Sequence, residues 1–198
     1  MKKIPTLFER EFDGNRIVRV LPIVKPGLEW VLDGKGHPTE KIDGACCAII
    51  DGRLYKRYDA KQGKKAPKGA IPCQDAPDPV TGHFPHWVLV SSENPADKWF
   101  CAARYNSPWA NKDGTYEVVG PHFQGNPYRL DEDFLERHGR IRILDLECTF
   151  DGIKEYLRTH NIEGIVWWFG GEPRCKIKRS DFGYKWPMKR GDKDGTDD

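Results

Sequence analysis

An α+β domain built on antiparallel sheets is the fold that this sequence predicts, and three observations predict it. Strand-like runs come in pairs around tight turns: Ala45 to Ile50 and Arg53 to Tyr58 flank Asp51-Gly52, a dipeptide suited to a two-residue turn with positive φ. "GIVWWF" and "CKIK" flank "GGEP" in the same way near the C-terminus. Helical spacing is scarce, and Ile153, Tyr156 and Leu157 between Asp151 and His160 give its clearest instance. Strands joined mostly by turns, with few helices, define the class. A length of 198 residues fits one domain with a real core. The expected organisation is a single domain over 1–190 and an acidic, disordered tail over 191–198, "GDKDGTDD".

Taken in order, Lys41 stands just before the first strand of the Asp51-Gly52 hairpin. From Gly63 to Pro85 the chain is rich in Pro, Gly and Lys with little periodicity, and reads as a long loop or a pair of irregular excursions. "HWVLV" and "KWFCAARY" are short strand or strand-helix candidates, and "GTYEVVG" is a strand ended by Gly120-Pro121. "RIRILDLECTF" alternates as a strand does, the helix of Asp151 to His160 follows, and Asn161 is a suitable stop.

The net charge of +2 gives no global nucleic-acid signal, but basic residues cluster locally. Lys56, Arg57, Lys61, Lys64, Lys65 and Lys68 face the single acid Asp59 in one segment. Lys176, Lys178, Arg179, Lys185 and Lys189 lie between Arg174 and Arg190 in another, with Asp181. The first cluster reads either as a solvated face or as a contact to RNA phosphates. Six cysteines form no CxxC pair and no disulfide framework, and no apolar run resembles a signal peptide or membrane span. A reducing, cytoplasmic setting without a membrane partner is the expectation. His83 and His86 with Cys73 and Cys101 match no common zinc spacing.

Lys41 is the residue that packing explains least, because an ammonium at the mouth of an apolar strand loses hydration. "EKIDG" (Glu40 to Gly44) resembles motif I, KxDG, of the covalent nucleotidyltransferases: ATP-dependent DNA and RNA ligases and GTP-dependent capping enzymes. "YEVVG" (Tyr116 to Gly120) resembles motif III, "EGIVW" (Glu163 to Trp167) motif IV, and "KIK" (Lys176 to Lys178) motif V, in the family's order. "TEKIDG", "RLYKR" and "YEVVGPHFQGNPYRLDEDFLERHG" are most similar to compact RNA ligases of the RNA ligase 1 family. The resemblance covers Glu40 to Lys178 and implies an antiparallel-sheet nucleotidyltransferase (adenylyltransferase) domain. It also implies roles: Lys41 as nucleophile, Glu40, Arg57, Glu117, Lys176 and Lys178 on the nucleotide, Glu163 and Asp43 for metal. ATP, Mg²⁺ or Mn²⁺ and an RNA substrate are the implied ligands, while protein partners are not indicated.

Attack on the α-phosphorus of ATP needs a neutral amine, and a free lysine titrates at about 10.4, so positive neighbours such as Lys176 and Lys178 belong in the pattern. The same cations would neutralise charge passing to pyrophosphate. Two other readings compete. A capping-type guanylyltransferase or DNA ligase is disfavoured because Cys46 stands where those enzymes commonly carry Arg, and because twenty residues after Lys178 leave no room for the expected C-terminal OB domain. A non-catalytic RNA-binding protein with this fold would need no nucleophile. Trp167 and Trp168 read as core residues, with these or Phe123 as candidates for stacking on adenine.

Overall fold

A computed structural model describes residues 1–14 and 16–188; the expected acidic tail, Lys189 and Arg190 lie outside the described residues. The architecture is mixed α+β, and its named strands pair antiparallel throughout. The chain divides into two compact units, Met1–Lys3 with Asp43–His138, and Ile4–Ile42 with Gly139–Asp198.

The Asp43–His138 unit is built on a six-stranded sheet. Its strands in chain order are β4 (Ala45–Ile50), β5 (Arg53–Ala60), β6 (Ile71–Pro72), β7 (Phe84–Leu89), β8 (Gly114–Val119) and β9 (Phe134–Arg137). Across the sheet they run β6-β7-β5-β4-β8-β9. The β4–β5 hairpin turns where expected: Asp51 and Gly52 take φ of 49° and 68°, the left-handed values of a two-residue turn. The Asp113 carboxylate accepts from both turn amides, at 3.0 and 3.1 Å. "KWFCAARY" forms α1 (Lys98–Tyr105), a helix rather than a strand. Its Ala103 packs with Cys47, Ile49, Leu54, Tyr116, Val118 and Leu135 on one face of the sheet. The stretch expected to be a long loop or a pair of irregular excursions carries the short β6, and β7 begins at Phe84 inside it.

In the other unit β1 (Phe8–Asp13) and β2 (Arg16–Val24) form a hairpin, and β3 (His37–Lys41), β10 (Gly164–Phe169) and β11 (Glu172–Lys178) form a sheet ordered β11-β10-β3. Helix α2 (Phe150–Thr159) starts at Thr149, whose hydroxyl accepts from the Gly152 amide at 3.0 Å, an N-cap. Ile153 and Leu157 of α2 pack on Ile165, Trp167, Cys175 and Ile177, all fully buried. This burial is what holds an amphipathic helix of ten residues, too short to persist alone. "RIRILDLECTF" is not a strand. It makes two backbone bonds with the β3 segment, Ile143 N–H to Pro38 and Glu40 N–H to the Ile141 carbonyl, plus an isolated bridge at Arg142. Ile143 is buried and Leu144 is 90% exposed, so the alternation records one-sided burial of an irregular segment instead of a ladder.

Candidate functional site

Lys41 is the last residue of β3, so the chain is already extended where a strand was expected only to follow. In register, Gly164 of β10 faces Lys41 on one side and Lys178 on the other. A glycine is required between them: a Cβ at Gly164 would lie 2.3 Å from the Ile177 carbonyl oxygen. The residue before it, Glu163, is 6% exposed and uses both carboxylate oxygens, one accepting from Lys41 Nζ and the other from Lys178 Nζ at 2.6 Å. Three residues from three strand ends thus form a single cation–carboxylate–cation bridge. Lys176 lies two residues before Lys178, on the same face of β11.

The bridge is anchored from behind. The Glu163 carbonyl accepts from the Arg179 amide at 2.8 Å. Arg179 itself is fully buried, with its guanidinium donating to the carbonyls of Leu157, His160 and Lys185. It caps the C-terminus of α2, where a cation complements the exposed carbonyls. A member of the C-terminal basic cluster is therefore a structural tie between α2 and the end of β11. Asp181, 5% exposed, accepts from Arg10 and from the Lys178 amide at 2.8 Å, which fixes the backbone at that lysine.

Glu40 sits differently. Neighbouring residues of a strand point to opposite faces, and Glu40 pairs with Ile165, in the row that packs on α2. Its nearness to Tyr156 of α2 helps to raise that phenol, after burial as the main cause. Glu40 is thus adjacent to Lys41 in sequence and on the opposite face of the sheet.

The remaining sequence candidates belong to the Asp43–His138 unit. The Asp43 amide donates to the Tyr128 hydroxyl at 2.7 Å. Glu117, on β8, pairs in register with Cys46 of β4, and its carboxylate lies 2.8 Å from His138 Nε2. Arg57 donates to Asp59 at 2.9 Å and also lies against the Cys46 thiol. Burial pushes that thiol up to about 12, with the Glu117 carboxylate adding to the effect and Arg57 opposing it. Lys56 of the first basic cluster lies on β5 and pairs with the buried Asp97. Trp167 is fully buried, and Phe123 packs edge-on against Phe100 in the core.

Sequence reading missed His138 and Arg179. His138 follows "FLER", too short for its strand to be recognised, and only the β8–β9 register brings it to Glu117. A cation three residues beyond Lys176, just after β11, carried no sign in the sequence of a cap on a distant helix.

No family model matches the chain. It is similar to proteins named RNA ligase 1: that of Pongo abelii is 26% identical over an alignment of 226 residues, spanning 76% of this chain and 68% of that protein. The Rattus norvegicus and Danio rerio proteins of that name are 24% and 25% identical over the same shares. These similarities support a relationship to an RNA ligase family at the level of the chain, not of single motifs. Among the described residues no helix is long and apolar enough to cross a membrane.

Proposed function

We infer that the chain is an ATP-dependent RNA ligase whose covalent nucleophile is Lys41. The observation that carries this reading is the bridge in which Glu163 holds Lys41 and Lys178 together across Gly164. A lysine used only for solubility would extend into water, whereas this one is held by a buried carboxylate beside further cations. Relatives named RNA ligase 1 and the order of the four motifs point the same way.

The donor set suits the reactants. Lys176 and Lys178 are point charges of the kind that neutralise phosphoryl oxygens, and Glu163 offers the hard oxygen donor that Mg²⁺ or Mn²⁺ takes. When bound, such an ion would supply Lewis-acid neutralisation of phosphoryl charge. Lys41 is released from Glu163 as phosphate arrives and gives up its proton to solvent. Its Nζ then attacks the α-phosphorus of ATP, the bond to pyrophosphate breaks, and a lysyl-adenylate forms. Lys178 stabilises negative charge on the phosphoryl oxygens as pyrophosphate departs. An RNA 5′-phosphate oxygen next displaces the Lys41 amine from AMP. Finally an RNA 3′-hydroxyl attacks that 5′-phosphate, AMP leaves, and the strand is sealed. Motif resemblance carries the assignment of Arg57 and Glu117 to the nucleotide and of Asp43 to the metal; the same resemblance assigns Glu40 to the nucleotide, although its side of β3 is opposite that of Lys41.

The test is incubation with α-labelled ATP or GTP and Mg²⁺, followed by denaturing electrophoresis. Label from ATP, lost in Lys41→Ala, is the expected result. Label from GTP alone would point to a capping-type enzyme, and no label from either would favour an RNA-binding protein.

A further inference from the structure

On the face of the six-stranded sheet opposite its α1-packed core, the register lines up side chains that motif logic treats separately. Cys46 on β4 is the direct cross-strand partner of Glu117 on β8. His138 follows β9, its amide donating to the Thr115 carbonyl, so it is the diagonal neighbour of Glu117 on the same face. One sulfur, one carboxylate oxygen and one imidazole nitrogen all lie within 4.8 Å of one another. His138 Nε2 is 2.8 Å from Glu117, and its other nitrogen, Nδ1, is buried with no hydrogen-bond partner among the described residues.

We propose that Cys46, Glu117 and His138 form a binding site for one divalent ion of the Zn²⁺ class. Zn²⁺ is held by sulfur, nitrogen and oxygen donors at about 2.0–2.3 Å, commonly with three protein ligands and a water. A small closure of three donors already within 4.8 Å reaches those distances. The ligand set selects against Mg²⁺ and Ca²⁺, which take oxygen donors, and for borderline ions that accept thiolate and imidazole together. Binding displaces the thiol proton of Cys46 to solvent, so one proton is released per ion. Arg57, against the same sulfur, favours the thiolate while opposing the incoming cation. The two anionic ligands balance the ion's charge. This site does not include Glu163, the hard-cation residue inferred above, but it shares Glu117 and borders Arg57, both assigned above to the nucleotide, so ion and nucleotide would compete for the Glu117 carboxylate.

The probe is Co²⁺ added to chelator-treated full-length protein, followed by absorbance. The expected result is a near-ultraviolet thiolate-to-cobalt charge-transfer band saturating at about one equivalent and bleached by Zn²⁺. Cys46→Ser should remove the band. His138→Gln should keep the thiolate band but weaken Co²⁺ binding about tenfold or more. It also serves as the second test if Cys46→Ser does not fold. Zn²⁺ should raise the melting temperature of the wild type and not of Cys46→Ser. No band in the wild type would overturn the proposal, as would a band that survives Cys46→Ser or binding unchanged in His138→Gln. A band abolished instead by Cys73→Ser or Cys101→Ser would do the same.

Discussion

Two carboxylates, Glu163 just before β10 and Glu117 on β8, have opposite company. Glu163 is clamped between two lysines, and Glu117 lies among an imidazole, a thiol and, beyond the thiol, a guanidinium. Both read as motif acids in the sequence, yet their neighbours suit different chemistry. Ammonium groups around a buried carboxylate make a place where phosphate can exchange for the carboxylate, cation by cation. A thiol and imidazole around a carboxylate make a place for a softer ion. An acid's role is set by the cross-strand partners that the register supplies.

The sharpest way to break that contrast is at Lys41. Lys41→Ala and Lys41→Arg should both abolish transfer of AMP to the protein, because a guanidinium stays protonated and cannot attack phosphorus. Full labelling of either variant on a denaturing gel would remove Lys41 from the mechanism. Next in size, Glu163→Ala and Lys178→Ala should each slow adenylylation about 10²-fold or more, since each removes charge placed for the transition state. Single-turnover rates with ATP measure this, and near-normal rates in both would empty the bridge of meaning.

A smaller effect comes from backbone spacing. Gly164→Ala should destabilise the fold by about 1–3 kcal/mol, because its Cβ would press on the Ile177 carbonyl between Lys41 and Lys178. Urea denaturation reads that loss directly, and an unchanged midpoint would contradict the close approach.

The smallest expected effect is a pH dependence from buried thiols. Burial holds the thiols of Cys46 and Cys175 protonated up to about 12, and raises that of Cys47 well above its ordinary 9.0. The unfolded chain releases these protons from pH 9.0 upward while the native state keeps them, so stability falls as pH rises from there toward about 12. Cys175→Ala should flatten that slope, measured as urea midpoints at several alkaline values. An equal slope in wild type and variant would rule out the Cys175 contribution.

Much of the fold was legible because its signals are local. Asp51-Gly52 dictates a hairpin from two residues, and Ile153 with Leu157 marks the buried face of α2. The β1–β2 hairpin was not read, since Phe12, Val18 and Ile23 remain exposed and blur the alternation. At the candidate site, motif order singled out Lys41, Glu163 and Lys178, but the shared carboxylate depends on three-strand register that no single stretch encodes. The same register separates Glu40 from Lys41, a consequence of strand alternation that a motif read as a string of letters does not carry. His138 and Cys46 meet Glu117 through pairings with residues about 20 and 70 positions away, beyond any local pattern.

The most direct test of the central claim separates the first chemical step from the last. An RNA that already carries a 5′-adenylate needs no lysine nucleophile, because its 3′-hydroxyl partner displaces AMP directly. Lys41→Ala should therefore seal pre-adenylated RNA while failing with ATP and a 5′-phosphate end. It should also outperform Glu163→Ala and Lys178→Ala on that adenylated strand. Contradiction would come from a Lys41→Ala protein no better than those two variants, or from a wild type unable to seal the adenylated strand.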